Sequence, residues 1–322
     1  MVEMNTYAPV LIPTLNRYNH FVNCVESLSA CTCADQTDLF IAIDYPFKEE
    51  HWEGYNNICS YVERIIGFKS LTIIKRTKNL GARDNIFDAR ERIFNNYDRL
   101  ILSEDDNTFA TDFLLFINEG LEVYKNRDDI FSIIGYNFPI DIPNNYTNDV
   151  YLFNGFSAWG YGIWKEKWVK LEWDINELEN FIANKKRAKR LLNKNILKGL
   201  KRIVDTGRIT GDTYICYYQT VNNLYSVFPV VSRVRNNGHD GSGIHGGNSR
   251  HLKQLYSNQH LSDGKADIYF PINIKPSKKI DEILIKYFNP SLLTKIISNP
   301  NGALTKIKKI FKIKPLKQSS KK

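Results

Sequence analysis

Residues 100–107 read Leu-Ile-Leu-Ser-Glu-Asp-Asp-Asn, a short apolar run that ends in three consecutive carboxylates. The apolar part predicts the end of a buried strand, and Thr111 and Asp112 open a helix a few residues later. Adjacent acids repel one another, so a protein that places them at a strand end, in a cleft, usually holds a cation or a proton between them. A solvated loop with helix-capping acids is the alternative for the triplet taken by itself.

Short apolar strands alternate with helices along the first half of the chain. We predict strands at 9–14, 38–44, 70–77 and 130–135 in addition to the one before the acids, with helices near 21–28, 55–65, 86–93 and 113–124. This alternation is typical of an α/β protein with a mostly parallel sheet covered by helices. Ligands bind beyond the carboxyl ends of such strands. Arg17, Asp44 and Glu104 to Asp106 follow strand ends, so we expect them at one edge of the sheet.

The composition describes a folded protein and argues against several classes. The chain has 322 residues, of which 43% are hydrophobic, enough for one large α/β domain or two small ones. Five cysteines without Cys-x-x-Cys spacing favour neither a disulfide framework nor a zinc ribbon, and so indicate a reducing compartment. We expect no signal peptide and no membrane-spanning helix. The absence of Gly-x-Gly-x-x-Gly and of Gly-Lys-Ser/Thr argues against dinucleotide-dependent oxidoreductases and P-loop enzymes.

The basic charge is concentrated at the C-terminus. Residues 286–322 contain ten lysines and no acid, so with a net charge of +9 for the whole chain the other 285 residues sum to −1. A second basic block spans residues 185–202. Apolar residues interrupt both blocks, which favours basic amphipathic helices over nucleic-acid-binding arms, and no nucleic-acid partner is expected. Residues 304–312 show the pattern of an interfacial helix attracted to an anionic membrane, and a disordered extension is the alternative.

Three later segments carry further candidate residues. Residues 154–164 mix aromatics with glycines, and form either core β structure or a platform on which sugar C–H groups pack. Asp212 precedes an apolar-aromatic helix, either as a functional acid or as an ordinary N-cap. The glycine-rich stretch 236–247 contains His239, Asp240 and His245, and predicts either a loop that wraps a ligand or a plain surface connection.

Together these segments resemble a nucleotide-sugar glycosyltransferase of the GT-A fold, with a Rossmann-like sheet. The residues that carry the resemblance are Pro-Val-Leu-Ile-Pro-Thr-Leu-Asn-Arg at 9–17, Asp44, the helix start with Arg83, and the Glu-Asp-Asp triplet. The later part resembles the inverting N-acetylglucosaminyltransferase I type and family-two-like bacterial glycosyltransferases. Its similar features are Trp-Gly-Tyr-Gly-Ile-Trp at 159–164, Gly-Asp at 211–212, and Ser-Arg at 232–233 before the histidine-bearing loop. The similarity runs from about residue 8 to 261 and leaves out the tail.

The resemblance implies a role for each candidate residue. Arg17 and Asp44 would hold the nucleobase, Glu104 the ribose and Asp105 the donor sugar, and Asp106, the last acid of a DxD-like motif, would ligate the metal. Asp212 would be the general base, although relatives often carry two adjacent acids where this chain has Gly-Asp. Arg83 would offset diphosphate charge, with an exposed helix-start arginine as the alternative, and His245 would complete the metal shell or touch the diphosphate.

These roles predict a metal-dependent inverting transferase. A hard cation, Mn²⁺ or Mg²⁺, suits oxygen ligands and would neutralise the departing diphosphate, while Asp212 takes the proton of the attacking hydroxyl. We expect a hexosyl- or N-acetylhexosaminyltransferase that uses a nucleotide-diphosphate sugar, UDP-linked by the resemblance. Its acceptor would be a glycan or lipid-linked oligosaccharide in bacterial surface polysaccharide synthesis. The alternatives are a nucleotidyltransferase with a similar acidic metal site, and a non-catalytic nucleic-acid- or sugar-binding protein that uses its basic helices.

The predicted organisation is one GT-A domain over residues 1–270, followed by a basic helical tail over 271–322. The donor half of the domain covers about 1–137 and the acceptor half about 138–270. The predicted location is the cytoplasm, peripherally on the inner face of the membrane.

Overall fold

The main sheet of the protein sets its fold class. The computed structural model describes residues 6–241, 255–256, 258–264 and 267–291. Its strands are β1 (Val10–Thr14), β2 (Asp38–Ile43), β3 (Ser70–Lys75), β4 (Arg99–Leu102), β5 (Asn107–Phe109), β6 (Ile130–Ile134), β7 (Val150–Phe153), β8 (Tyr161–Trp164), β9 (Tyr225–Pro229) and β10 (Val234–Asn236). Within the described residues eight of these form one sheet in the order β3-β2-β1-β4-β8-β6-β9-β7.

The strand directions confirm the predicted α/β class with a mostly parallel sheet. β1 pairs in parallel with β2 and β4, and β2 with β3, while β6 and β9 form a further parallel pair. β8 lies antiparallel between β4 and β6, and β7 runs antiparallel to β9. Residues 10–12 and 39–43 are mostly buried on both faces of their strands, as expected for the centre of a parallel sheet. The arrangement is consistent with a GT-A, Rossmann-like fold.

Helices flank the sheet and connect its parallel strands. They are α1 (Tyr18–Ser29), α2 (Trp52–Val62), α3 (Gly81–Phe94), α4 (Phe113–Val123), α5 (Lys165–Trp168), α6 (Asn176–Ala183), α7 (Lys185–Ala188), α8 (Lys194–Thr206), α9 (Gly211–Asn222) and α10 (Lys278–Phe288). Short 3₁₀ turns occupy Ala34–Gln36 and Glu49–His51. Residues 113–121 of α4 are all buried, because α4 lies against β6 and β8 inside the core. Across the ranges that the structure describes, no helix has the length and apolar character needed to cross a membrane.

A two-stranded ribbon lies directly after the acidic triplet. β5 follows Asp106 and pairs antiparallel with β10, so that Asn107 faces Asn236. Sequence patterns predict a β-rich run up to residue 234 but no strand at 107–109, since three residues are too few to show periodicity. The ribbon brings residues 236–238 next to the acids.

Residues 165–206 form several separate helices, and the basic block 185–202, for which amphipathic helices were predicted, is divided between α7 and α8. Asn184 accepts hydrogen bonds from the backbone N–H of Lys186 and Arg187, and so caps α7. Asn193 likewise caps α8 through Asn195. Asparagine favours such caps because its side chain competes for backbone donors, which divides an otherwise helical sequence.

The chain after residue 266 continues to pack on the domain. Phe270 lies 5.2 Å from Phe116 between ring centroids, and Phe288 lies 4.8 Å from Phe138. Ile280 and Leu284 of α10 are fully buried. The predicted boundary at residue 270 therefore falls within a packed segment up to 291, and the predicted membrane helix at 304–312 lies outside the described residues.

Candidate active site

The carboxyl ends of neighbouring parallel strands form the centre of the site. Thr14 ends β1, and its hydroxyl donates to Asp105 Oδ2 over 2.8 Å just beyond the end of β4. Asp105 and Asp106 are each about 5% exposed, which is unusual for carboxylates and requires compensation. The structure thus brings the loops after β1 and β4 together, as the sheet order dictates.

Arg17 supplies that compensation by joining both acids. Its Nη2 pairs with Asp105 Oδ1, and its Nη1 lies 2.6 Å from Asp106 Oδ2. Burial by itself would lower the pKa of Arg17, but the two carboxylates outweigh it and raise that pKa above its usual range. The pKa of Asp105 is raised, because its burial outweighs the stabilising charge of Arg17. Sequence reasoning placed Arg17 at the site through the resemblance, and this contact with the acids adds to it.

A turn after β10 closes around Asp106. Asn236 Nδ2 donates to Asp106 Oδ1 over 2.6 Å, and the N–H of Asn237 donates to the Asp106 carbonyl over 2.8 Å. A Cβ at Gly238 would lie 2.1 Å from Asp106 Oδ2, so only glycine allows this approach. Next to it, Asp240 Oδ2 lies 2.8 Å from His20 Nε2 on α1. Sequence patterns identified the glycine-rich stretch but none of these partners.

Asp44 joins two loops at the edge of the sheet. Its Oδ1 accepts from the N–H of Leu80 over 2.8 Å and from that of Tyr45 over 2.9 Å. Its Oδ2 accepts from Asn79 Nδ2 over 3.1 Å. Asp44 therefore holds the segment before α3 in place, and its assignment to the nucleobase stays a prediction.

The pKa of Glu104 responds to acids from two separate elements of the structure. Burial, together with the charges of Asp106 and Asp212, raises its pKa to about 8. Asp212 occupies the first turn of α9, where it is exposed, and the N-cap position belongs to Thr210. Burial and then the charge of Asp212 also raise the pKa of Cys216 to about 12. The charge of Asp212 thus acts on the acidic edge from a separate element, α9, at an exposed position.

Arg83 lies on an aromatic surface in the first turn of α3. Its guanidinium is 4.8 Å from the ring centroid of Phe87 and 6.0 Å from that of Trp173. Beneath it, Arg90 stacks on Trp168 at 3.5 Å, and burial lowers the pKa of Arg90. Arg83 pairs with Asp84 over 3.6 Å but keeps 49% of its side chain exposed, so a bound anion can reach it.

An aromatic cluster surrounds His239 beside the acids. The His239 ring stacks on Tyr256 with centroids 4.6 Å apart and meets Trp159 edge-on at 5.7 Å. Burial lowers the pKa of His239, and the charge of Asp106 acts in the opposite direction. Neither ring nitrogen has a hydrogen-bond partner among the described residues. His245, the histidine that the sequence favoured, lies outside those residues.

The carboxylate oxygens of Asp105 and Asp106 are suitable ligands for a divalent cation. The Arg17 guanidinium, however, already contacts both acids. Both oxygens of Asp105 and both oxygens of Asp106 accept hydrogen bonds from protein donors. In the described part of the chain no group of three or more His, Cys, Asp or Glu side chains is placed to hold a metal. An ion at Asp106 would therefore have to displace the Arg17 guanidinium.

Comparisons with known proteins leave the family open. No protein-family model and no curated protein matches the chain. Among solved structures, TarS from S. aureus is similar with a TM-score of 0.32 and 9% identity, over 47% of this chain and 25% of that one. Its 1–349 fragment gives a TM-score of 0.36 and 11% identity, over 52% and 50% of the two chains. The chain therefore spans a quarter of the length of TarS and half of its fragment.

A third solved structure is similar over a larger share of both chains. The mannosyltransferase PcManGT from Pyrobaculum calidifontis, solved with GDP-Man and Mn²⁺, gives a TM-score of 0.37 and 10% identity, over 67% of this chain and 70% of that one. Similarities this weak support no conclusion about activity, which has to come from the site itself.

Proposed function

We propose that this protein is an inverting glycosyltransferase that moves a sugar from a nucleotide-diphosphate donor to a hydroxyl of a glycan. The observation that carries the proposal is the pairing of a buried acidic edge at Asp105 and Asp106 with an accessible acid, Asp212, on a separate helix. Such an arrangement offers one place for a charged donor and another for a base. It also follows the topology in which α/β sheets bind ligands.

The proposed reaction is a single displacement. Asp212 accepts the proton of the acceptor hydroxyl as its oxygen attacks the anomeric carbon, and the bond from that carbon to the diphosphate oxygen breaks. The products are the extended glycan and the nucleoside diphosphate, with inversion at the anomeric carbon. Asp212 suits this role because it is exposed at the site, where a hydroxyl can reach it.

The donor side supplies binding and orientation. Thr14 and Arg17 fix Asp105, and Asn236 and Gly238 fix Asp106, so neither carboxylate is free to rotate. A divalent cation held by Asp106 would neutralise the negative charge of the departing diphosphate. Arg83 lies in the first turn of α3, directly after the segment that Asp44 holds, and its half-exposed side chain suits a phosphate oxygen.

The finer parts of the proposal rest on the resemblance and on the tail. They are a UDP-linked donor, transfer of a hexose or N-acetylhexosamine, bacterial surface polysaccharide as product, and peripheral binding to the inner membrane face through the lysines after residue 286. Co-sedimentation with anionic vesicles tests the last point. Removal of residues 292–322 should abolish sedimentation, and unchanged sedimentation would refute the membrane role.

Calorimetric titration tests the donor site directly. Full-length protein is titrated with UDP-, GDP- and dTDP-sugars, with Mn²⁺ present and then with chelator. Asp106→Asn should lose binding that wild type shows, whereas Asp98→Asn, an acid with a side chain 77% exposed at the opposite end of β4, should keep it. Failure of wild type to bind any sugar nucleotide in either condition would refute the proposed function. Analysis of the product separates transfer of a sugar from transfer of a nucleotide.

A further inference from the structure

The surface of α7 and α8 carries the largest uncompensated charge of the described body. Residues 185–208 contain ten lysines and arginines, all exposed, and a single acid, Asp205. None of these cations forms an ion pair with a carboxylate of the described residues. Some arginines elsewhere do have carboxylate partners, as Arg76 has in Asp88 and Arg233 in Asp112. Cations left without carboxylates over a continuous surface create a field that attracts a polyanion.

This basic surface runs along α9 to the candidate base. At one end, Arg190 Nη2 donates to the Thr220 carbonyl over 2.6 Å, near the C-terminus of α9. At the other end, a Cβ on Gly199 would lie 2.7 Å from the Thr213 side chain, so α8 touches the first turn of α9. The seven-residue step from Thr213 to Thr220 corresponds to about 10 Å along a helix. The basic segment therefore contacts α9 at both ends, and in the first turn of α9 it contacts Thr213, the residue next to Asp212.

The composition of this surface distinguishes among possible polyanions. The apolar residues Leu200 and Ile203 of α8 are fully buried, and none of the exposed large hydrophobic side chains lies between 184 and 208. A helix that binds in a membrane interface needs a free apolar face, which α8 lacks. Residues 182–213 contain no aromatic side chain on which a nucleic-acid base could stack. The surface therefore offers positive charge, but no apolar face that could insert into a membrane and no aromatic ring on which a base could stack. Such a surface suits a hydrophilic polyanion.

We propose that the acceptor is an anionic glycan, with phosphate or carboxylate groups in its repeating units, and that the cations of α7 and α8 bind the part of the glycan next to the hydroxyl that Asp212 activates. The inference rests on the proposed glycosyltransferase function and narrows its acceptor class. A polymer held along α8 presents its end to the first turn of α9, where Asp212 lies.

Binding of labelled polymers tests the inference without turnover. The probes are fluorescein-labelled polygalacturonate, which carries carboxylates, poly(glycerol phosphate), which carries phosphodiesters, and neutral dextran, all of similar length. Their fluorescence anisotropy is followed with the full-length protein at low and physiological salt. At least one anionic polymer should bind, more weakly as salt rises, and dextran should not. The stronger of the two anionic probes identifies the acidic group.

A matched pair of triple variants locates the binding surface. Lys198→Gln, Lys201→Gln and Arg202→Gln together remove three charges beside Gly199, and should weaken binding about tenfold at low salt, because exposed charges act additively on a polyanion. Lys275→Gln, Lys278→Gln and Lys279→Gln remove three exposed charges from the C-terminal segment and should change binding less than twofold, about 0.4 kcal/mol. Both variants keep the basic tail, so its contribution cancels.

Several results would overturn the inference. The first is equal binding of the polyanions by the α8 variant and wild type, and the second is dextran binding as strong as that of the polyanions. The third comes from phosphatidylglycerol vesicles and single-stranded DNA as further probes: the α8 variant loses binding to one of these but not to the anionic glycans. Donor binding, measured by calorimetry in the same variants, should be unchanged. Intact donor binding with no role for α8 would reject only the anionic acceptor, whereas absence of donor binding in wild type would reject the glycosyltransferase and this inference with it.

Discussion

The donor side and the acceptor side of the site hold their charges in opposite ways. On the donor side, Arg17 pairs with both Asp105 and Asp106, and both acids are almost completely buried. On the acceptor side, Asp212 is exposed, and the cations of residues 185–208 have no carboxylate partners among the described residues. Buried charges must be compensated inside the protein, whereas exposed charges can wait for a ligand. A donor therefore has to replace the contact of Arg17 with the acids, whereas the cations of residues 185–208 are already exposed to an acceptor.

The largest effect is expected on the acceptor side, at Asp212. Asp212→Asn keeps the size of the side chain but removes the proton acceptor, so the transfer rate should fall about 100-fold or more. The rate is measured as release of nucleoside diphosphate at saturating donor. The unfolding temperature should stay near that of wild type, because Asp212 is exposed.

Glu177→Gln is the matched control for this variant. Glu177 is likewise an exposed acid in the first turn of a helix, α6, so a role in helix stability alone would affect both positions similarly. A rate within threefold of wild type for Asp212→Asn, or equal losses at the two positions, would make Asp212 an ordinary helix-start acid.

The next effect concerns the stability of the donor side. Arg17→Met leaves two buried carboxylates without their cation and should reduce the free energy of unfolding by about 3 kcal/mol at neutral pH. Urea denaturation measures this. Arg99→Met is the control, because Arg99 also contacts two acids, Asp98 and Glu122, of which Asp98 is largely exposed. Its loss should be about 1 kcal/mol or less. Equal losses in the two variants would contradict the compensation described for the donor side.

The third effect is a pH dependence of folding stability at Glu104, whose pKa responds to charges on both sides of the site. Its pKa in the folded protein is about 8, above the ordinary value of 4.5, so the folded state holds a proton that the unfolded state has lost. This contribution to stability is complete below pH 4.5 and is lost as the pH rises towards 8. Glu104→Gln should remove that decline and exceed wild type in stability by about 1–3 kcal/mol above pH 8, with chelator present.

Glu122→Gln gives the opposite sign and serves as the control. The hydrogen bond from Lys125, and that from Arg99, lower the pKa of Glu122 despite some burial. The contribution of Glu122 is present above the ordinary pKa and is lost as the pH falls, so its replacement should cost stability at neutral pH and little in acid. A Glu104→Gln variant with the wild-type pH profile would show that Glu104 is ionised across this range.

Local patterns were sufficient to predict the strands and their place at one edge. The runs that became β1, β2 and β4 are apolar, and each is followed by polar residues, which is why Arg17, Asp44 and the acids could be assigned to the carboxyl ends. Helix α4 was predicted almost to its ends, because most of residues 113–123 are apolar and recur at helical spacing.

Contacts between distant residues could not be predicted in the same way. Arg17 lies 88 residues from Asp105, and Asn236 lies 130 residues from Asp106. No local period connects such partners. The one available signal was the strand order, since loops after neighbouring parallel strands lie side by side, and it applies to β1 and β4 but not to the turn after β10. The accessible charge of α8 was visible as composition, whereas its position beside Asp212 depends on how α8 packs on α9.

The smallest expected effect on folding stability is at Arg83, where a role in donor binding can be told apart from a role in stability. Its pair with Asp84 spans 3.6 Å and is exposed, and its contact with Phe87 is a surface cation–π interaction, so Arg83→Met should cost less than about 1 kcal/mol of stability. If the guanidinium meets the donor diphosphate, the same change should weaken donor binding about tenfold, roughly 1.4 kcal/mol. Arg92→Met on the same helix removes a similar exposed pair, with Asp88, and should leave donor affinity unchanged. Equal donor affinity in both variants would show that Arg83 takes no part in binding the donor.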